Sequence, residues 1–160
     1  MNVYLIRHGE ADPTSVKKPQ EERELTKNGE NIVLASAKFW KKYVSEFEIL
    51  LSSPLKRAMQ TAHIIKEVFN IKSEVLPEVL LLNGGPTEDL LILVSAFGAE
   101  NIAMIGHQPD VGTHISRMTG NDGSNIKIPP ATIAKISFKS SPVMGEGILE
   151  FLIPPLIKKG

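Results

Sequence analysis

Asn2-Val3-Tyr4-Leu5-Ile6-Arg7-His8-Gly9-Glu10 opens the chain with a short apolar run that ends at a guanidinium and an imidazole. Asn2 to Ile6 reads as a strand. Five more runs follow: Glu48 to Leu51, Glu74 to Leu76, Asn101 to Ile105, Thr132 to Phe138 and Ile148 to Ile153. The Ser140 to Gly147 stretch between the last two is rich in Pro, Gly and Ser and predicts a hairpin loop.

Helical spacing fills the gaps. Val33, Ala37, Trp40 and Val44 recur at helical intervals, as do Leu55, Ala58, Ala62, Ile65 and Phe69. Leu90, Val94 and Phe97 mark a third stripe, and Val111, Ile115 and Met118 a fourth. Strands alternating with helices predict an α/β fold, with a mostly parallel central sheet covered on both faces and an antiparallel edge. There is no internal repeat, and no linker divides the chain. Gly84-Gly85-Pro86 and Gly120 to Asn125 read as loops, so residues 1–160 are expected to form a single domain.

Composition narrows the function. The chain has 160 residues, 42% hydrophobic and 22% charged, which is ordinary globular composition. Eighteen basic residues balance eighteen acidic ones. A neutral chain has no global field to hold nucleic acid or an anionic membrane, so neither partner is expected. Cysteine is absent, which removes disulfides, thiolate metal sites and a cysteine nucleophile. Arg7 and His8 cut the first apolar run too soon for a signal peptide. No run approaches the roughly 20 residues of a membrane span. The expected compartment is cytoplasmic.

Ligands of open α/β sheets bind beyond the carboxyl ends of the strands. Arg7 and His8 follow the first strand. Ser52-Ser53-Pro54-Leu55-Lys56-Arg57 follows the second, and Gly106-His107-Gln108-Pro109-Asp110 the fourth. Two of the chain's four arginines and two of its four histidines therefore fall at one end of the sheet. Ser53 and Pro54 predict a helix start, with Ser53 as cap, and Pro109 predicts another. Arg57 then lies in a first helical turn, where a cation is unfavourable unless an anion occupies the site. Two forked guanidiniums beside helix N-termini describe a phosphate or carboxylate site. The imidazoles make histidine a candidate nucleophile toward phosphorus, and the arginines keep His8 neutral, the attacking form. The same cations repel a metal from His8, His107 and Asp110, so no metal is expected. His63 and His114 read as structural or surface groups. Lys17-Lys18 and Lys158-Lys159 read as solvated surface.

These stretches together resemble a known family. Leu5-Ile6-Arg7-His8-Gly9-Glu10 is similar to the signature of the histidine phosphatase (phosphoglycerate mutase-like) superfamily. Ser52 to Ala62 resembles its second motif, Gly106-His107-Gln108-Pro109 its third, and Arg23-Glu24-Leu25-Thr26 with Gly29 another usual stretch. The matches run in family order from residue 2 to about residue 112. The resemblance implies a three-layer α/β/α sandwich. It implies that His8 is the nucleophile and becomes a phosphohistidine, that Arg7, Arg57 and His107 clamp the phosphoryl group, and that water then hydrolyses the intermediate. No cofactor is implied.

Mutases and sugar-phosphate phosphatases of the superfamily are usually longer, with segments inserted over the site. Here only a short connection joins the helix ending near Phe69 to the one starting near Thr87. That resembles the SixA-type phosphohistidine phosphatases, which are open and suited to a protein substrate. The expected partner is thus a phosphorylated histidine-containing protein, the alternative a small phosphorylated substrate. Many relatives use a Glu after the second motif as general acid, and Glu78 is the nearest match; its other reading is a solvated loop residue. An imidazole leaving group relaxes the need for that acid. Gln108 stands where the acid-phosphatase branch places an Asp, which argues against that branch. A small-molecule phosphomonoesterase or mutase, and a non-catalytic phosphate-binding module, are the competing functions.

Overall fold

Strand–helix alternation runs through the computed structural model, which describes residues 1–13, 19–121 and 126–156. In chain order the elements are β1 (Asn2–Arg7), α1 (Lys27–Trp40), β2 (Ile49–Ser52), α2 (Lys56–Phe69), β3 (Leu76–Pro77), α3 (Thr87–Phe97), β4 (Asn101–Gly106), α4 (Asp110–Met118), β5 (Ile133–Ser137) and β6 (Ile148–Ile153). Short 3-10 turns occupy Gln20–Glu22 and Val79–Leu81. The Lys17-Lys18 and Lys158-Lys159 pairs, and residues 122–125 of the Gly120 to Asn125 loop, lie outside the described residues.

The six strands form one sheet in the order β3-β2-β4-β1-β5-β6. β1, β2, β3 and β4 are mutually parallel, while β5 runs antiparallel to β1 and to β6. The expected antiparallel edge is therefore the β5–β6 hairpin. Its register skips Glu150, since Lys135 pairs with Phe151 and Ile136 with Leu149.

Period-two alternation builds both cores. Val3 and Leu5 of β1 face Leu90, Val94 and Ile115, from α3 and α4. Tyr4 and Ile6 face Ala37, Trp40, Ala62 and Ile65, from α1 and α2. The result is three layers, helices on both faces of the sheet. β4 is central and buried on both sides, through Ile102 and Met104 on one face and Ala103 and Ile105 on the other. Each large apolar side chain taken from water here is worth about 1.5–3 kcal/mol.

Two boundaries differ from the sequence-based expectation. β3 is Leu76–Pro77 rather than Glu74 to Leu76, because only those two residues pair with β2, at Leu51 and Ser52. Helix α2 starts at Lys56 with Leu55 as its cap residue, and makes no side-chain cap hydrogen bond. Ser53 precedes it, and its Oγ accepts from Leu55 N at 3.4 Å, as the cap expectation requires, while also meeting a second partner described below. Helix α1 begins as expected near Gly29. Thr26 caps it by accepting from Gly29 N at 2.9 Å, and its hydroxyl donates to Glu10 Oε1 at 2.6 Å. Gly29 is required because a Cβ there would run into the Glu10 carbonyl oxygen.

Candidate active site

Three neighbouring parallel strands, β2, β4 and β1, end side by side and deliver the chemistry. β1 runs straight into His8, whose N–H donates to the Gly106 carbonyl at the end of β4 (3.1 Å). β4 runs into His107. β2 runs into Ser53, whose N–H donates to the Ile105 carbonyl at 2.9 Å, and onward to Arg57 in the first turn of α2. His8, Arg57 and His107 are 8%, 5% and 3% exposed.

Arg57 is the hub. Its Nε donates to His8 Nε2 at 3.3 Å, and its Nη2 donates to His107 Nδ1 at 3.3 Å. Its Nη1 donates to the Gln20 carbonyl at 2.8 Å. The two imidazole rings lie 5.0 Å apart between centroids. No carboxylate takes part in these contacts. Arg7 Nη1 donates to the Ile128 carbonyl at 2.6 Å, while Arg7 Nε is buried without a hydrogen-bond partner. A buried donor of that kind fits an anion.

The hydrogen bonds fix both tautomers. His8 Nδ1 lies 2.6 Å from the Gly9 carbonyl, which only accepts, so Nδ1 carries the proton. His8 Nε2 accepts from Arg57 and therefore holds a lone pair. His107 Nδ1 likewise accepts from Arg57, so its proton sits on Nε2 and is donated to Ser53 Oγ at 2.7 Å. Burial first, then the His107, Arg57 and Arg7 charges, push His8 down to about 3 against the Gly9 hydrogen bond. Burial first, then Arg57, Arg7 and Arg23, push His107 down to about 4. Burial also lowers both Arg7 and Arg57, without threatening their charge. The pocket thus holds two cations and a neutral imidazole whose lone pair accepts from Arg57.

Glu78 stands at the same end of the sheet, where β3 leads out beside β2. Its N–H donates to the Ser52 carbonyl at 2.8 Å, and its carboxylate caps the Val79–Leu81 turn by accepting from Leu80 N at 2.9 Å. Asp110 opens α4 as expected, and its Oδ2 accepts from Gly84 N at 2.7 Å. Among the described residues no group of three His, Asp or Glu side chains is placed to hold a metal. His63 is exposed and bonded to its own helix, through the Met59 carbonyl, and His114 is buried against Thr87 Oγ1 at 2.8 Å.

Three contributors were not apparent from the sequence. Ser53 accepts from Leu55 N just before α2, as the cap reading expects, and also orients His107. Thr61 accepts from Gly9 N at 3.0 Å and donates to the Arg57 carbonyl at 2.8 Å, tying the first two motifs together. Its spacing four residues after Arg57 was the available signal. Arg23 is a third arginine near the site: its Nε donates to the Asp12 carbonyl at 2.6 Å, and its charge depresses both Arg57 and His107.

A sequence model of the histidine phosphatase superfamily, branch 1, matches residues 3–93, more than half of the chain and the part that carries Arg7, His8 and Arg57. The chain belongs to the histidine phosphatase superfamily. Within it, the chain is 32% identical over 127 residues to the phosphohistidine phosphatase SixA of Escherichia coli, covering 74% of each. It is 26% identical over 146 residues to a SixA homolog of Haemophilus influenzae, covering 85% of this chain and 87% of that one. A solved structure of the protein histidine phosphatase SixA complexed with tungstate superposes with a TM-score of 0.83 at 25% identity, over 96% of this chain and 97% of that one. Membership in the histidine phosphatase superfamily supports a phosphatase activity for this chain. Among the described residues no helix is long and apolar enough to cross a membrane.

Proposed function

We propose that this protein is a phosphohistidine phosphatase acting on phosphorylated histidine in a protein, with His8 as nucleophile. The observation that carries the proposal is the His8 tautomer: the Gly9 carbonyl holds the proton on Nδ1, and the Nε2 lone pair meets Arg57. In the first step Nε2 attacks phosphorus, the bond from phosphorus to the substrate nitrogen breaks, and the substrate imidazole leaves. Arg7, Arg57 and His107 bind the equatorial oxygens and stabilise the charge that spreads over them. Water then attacks the phosphorus on His8, Nε2 departs with its electron pair, and inorganic phosphate is released.

Three features favour a protein phosphohistidine over a small ester. The segment between α2 and α3 holds only a two-residue strand and one 3-10 turn, little material for a lid. The carboxylate of Glu78 is engaged in its own turn, and an imidazole leaves without a strong acid. The E. coli relative carries the name phosphohistidine phosphatase. The domain is proposed to work in the cytoplasm without cofactor, nucleic acid or membrane.

The test is a substrate panel: a phosphohistidine protein, phosphoamidate, sugar phosphates and 3-phosphoglycerate, with wild type and His8→Ala. Fast turnover of the phosphohistidine protein, lost in His8→Ala, is expected. Full activity in His8→Ala sinks the mechanism. Preference for a sugar phosphate, with a strong loss in Glu78→Gln, sinks the substrate assignment and moves Glu78 into the acid role.

A further inference from the structure

Ser53 is wholly buried, and its hydroxyl lies 2.7 Å from His107 Nε2. That contact and the one to Arg57 together settle which atom of His107 is able to change. Nε2 carries the ring proton, because Nδ1 faces Arg57, which only donates, and the serine oxygen is placed to accept that proton. Nδ1 is the only basic atom left on the ring, and at present it accepts from Arg57 Nη2 at 3.3 Å. An anion seated among Arg7, Arg57 and His8 draws the Arg57 N–H bonds to itself. The Nδ1 lone pair would then face anionic oxygen, a repulsive contact unless Nδ1 carries a proton.

We infer that Ser53 is a positioning residue that holds His107 with Nε2–H engaged and Nδ1 turned toward the anion site, so that filling the site with a phosphoryl dianion draws one proton from solvent onto His107 Nδ1. The inference rests on the phosphoryl-site reading above. The proton comes from the buffer, Arg57 Nη2–H passes from Nδ1 to the anion, and no bond in the protein breaks. The site then presents donors on every side of the bound group. The charges around the ring agree with this direction. Arg57 on α2, Arg7 on β1 and Arg23 on the Gln20–Glu22 side all hold the anion-free ring neutral. On α4 itself, the Asp110 carboxylate is turned to Gly84. His8 already has its own proton committed to Gly9. A dianion offsets the guanidinium charges around the ring and, with its oxygens facing Nδ1, makes the protonated ring the stable form.

Sulfate is the probe, because it stays a dianion across the range and any proton taken up belongs to the protein. Calorimetry in buffers of different ionisation enthalpy counts that proton. Wild type is expected to take up close to one, and sulfate affinity is expected to rise by up to about tenfold per pH unit on lowering pH from about 7 to about 5. His8→Asn keeps the uptake and His107→Asn loses it. Long-range proton–nitrogen NMR correlations report the ring: Nε2–H alone without sulfate, both nitrogens protonated with it, the second proton reduced in Ser53→Ala and restored in Ser53→Thr, which retains the hydroxyl. Sulfate binding with no proton uptake overturns the inference and leaves the phosphatase reading standing. Uptake that survives in His107→Asn, or full uptake in Ser53→Ala, also overturns it. No sulfate binding at all removes both.

Discussion

The guanidinium of Arg57 bridges to His8 through Nε, with 3.3 Å between Nε and His8 Nε2, and this bond selects the atom that carries the lone pair. The same side chain reaches His107 with a different nitrogen. One planar fork therefore sets the spacing of two imidazoles. Lysine has a single point of donation and cannot do this. Arg57→Lys is expected to lose about 10²–10³-fold in kcat/KM, and Arg57→Ala at least as much. Steady-state kinetics on a phosphohistidine protein checks it; a Lys variant near wild-type rate would mean that only the charge matters.

Acid should weaken the fold. His8 at about 3 and His107 at about 4 lie well below the ordinary 6.5, so between about 4 and 6.5 the unfolded chain binds more protons than the native one. His114, also lowered chiefly by burial, adds to the same effect. Stability therefore falls as pH drops through this window and is fully present above it. Thermal melts from about pH 7.5 to about pH 4.5 should show a declining Tm, shallower in sulfate or phosphate. A flat Tm contradicts the buried neutral histidines. Because the His8 lone pair persists to about 3, no loss of nucleophile is expected in kcat/KM above about pH 4.

Thr61 tests the link between the first two motifs. Thr61→Val keeps the shape but leaves the buried Gly9 N–H without its acceptor, at a cost of about 1–3 kcal/mol. Gly9 also holds the His8 proton, so kcat should fall along with stability. Thr61→Ser retains the hydroxyl and should recover most of both. Chemical denaturation and turnover measured on the pair decide it.

Gly29→Ala should destabilise by about 1–3 kcal/mol, because the new Cβ meets the Glu10 backbone rather than a movable side chain. Displacing Glu10 pulls on His8, two residues earlier, so activity should drop beyond what the loss of folded protein explains. Comparing denaturation midpoints with activity per folded molecule separates the two.

The sequence made the strand order of events clear: apolar runs of a few residues, helical stripes between them, and the charged residues just past each run. Arg7, His8, Arg57 and His107 were legible because they follow the strands. Their contacts were not. Ser53 before Pro54 reads as a helix cap, and only the adjacency of β2 and β4 shows that its hydroxyl also meets His107. Arg23 was hidden because it follows no strand; it reaches the site from a 3-10 turn. Glu78 was found by position, but local sequence cannot say whether a carboxylate caps its own turn or faces a neighbour.

The skipped register at Glu150 has a consequence for how the molecule behaves at high concentration. β6 reads Ile148-Leu149-Glu150-Phe151-Leu152-Ile153 and is the open border of the sheet, with Ile148 and Leu149 substantially exposed. An apolar border of that kind is a template for a foreign strand. Glu150 is the one residue that breaks both its ladder and its apolar character, and its carboxylate is held by Ser137 Oγ at 2.6 Å. A single charge and a skipped pairing on an otherwise apolar edge are the kind of features that blunt edge-to-edge pairing.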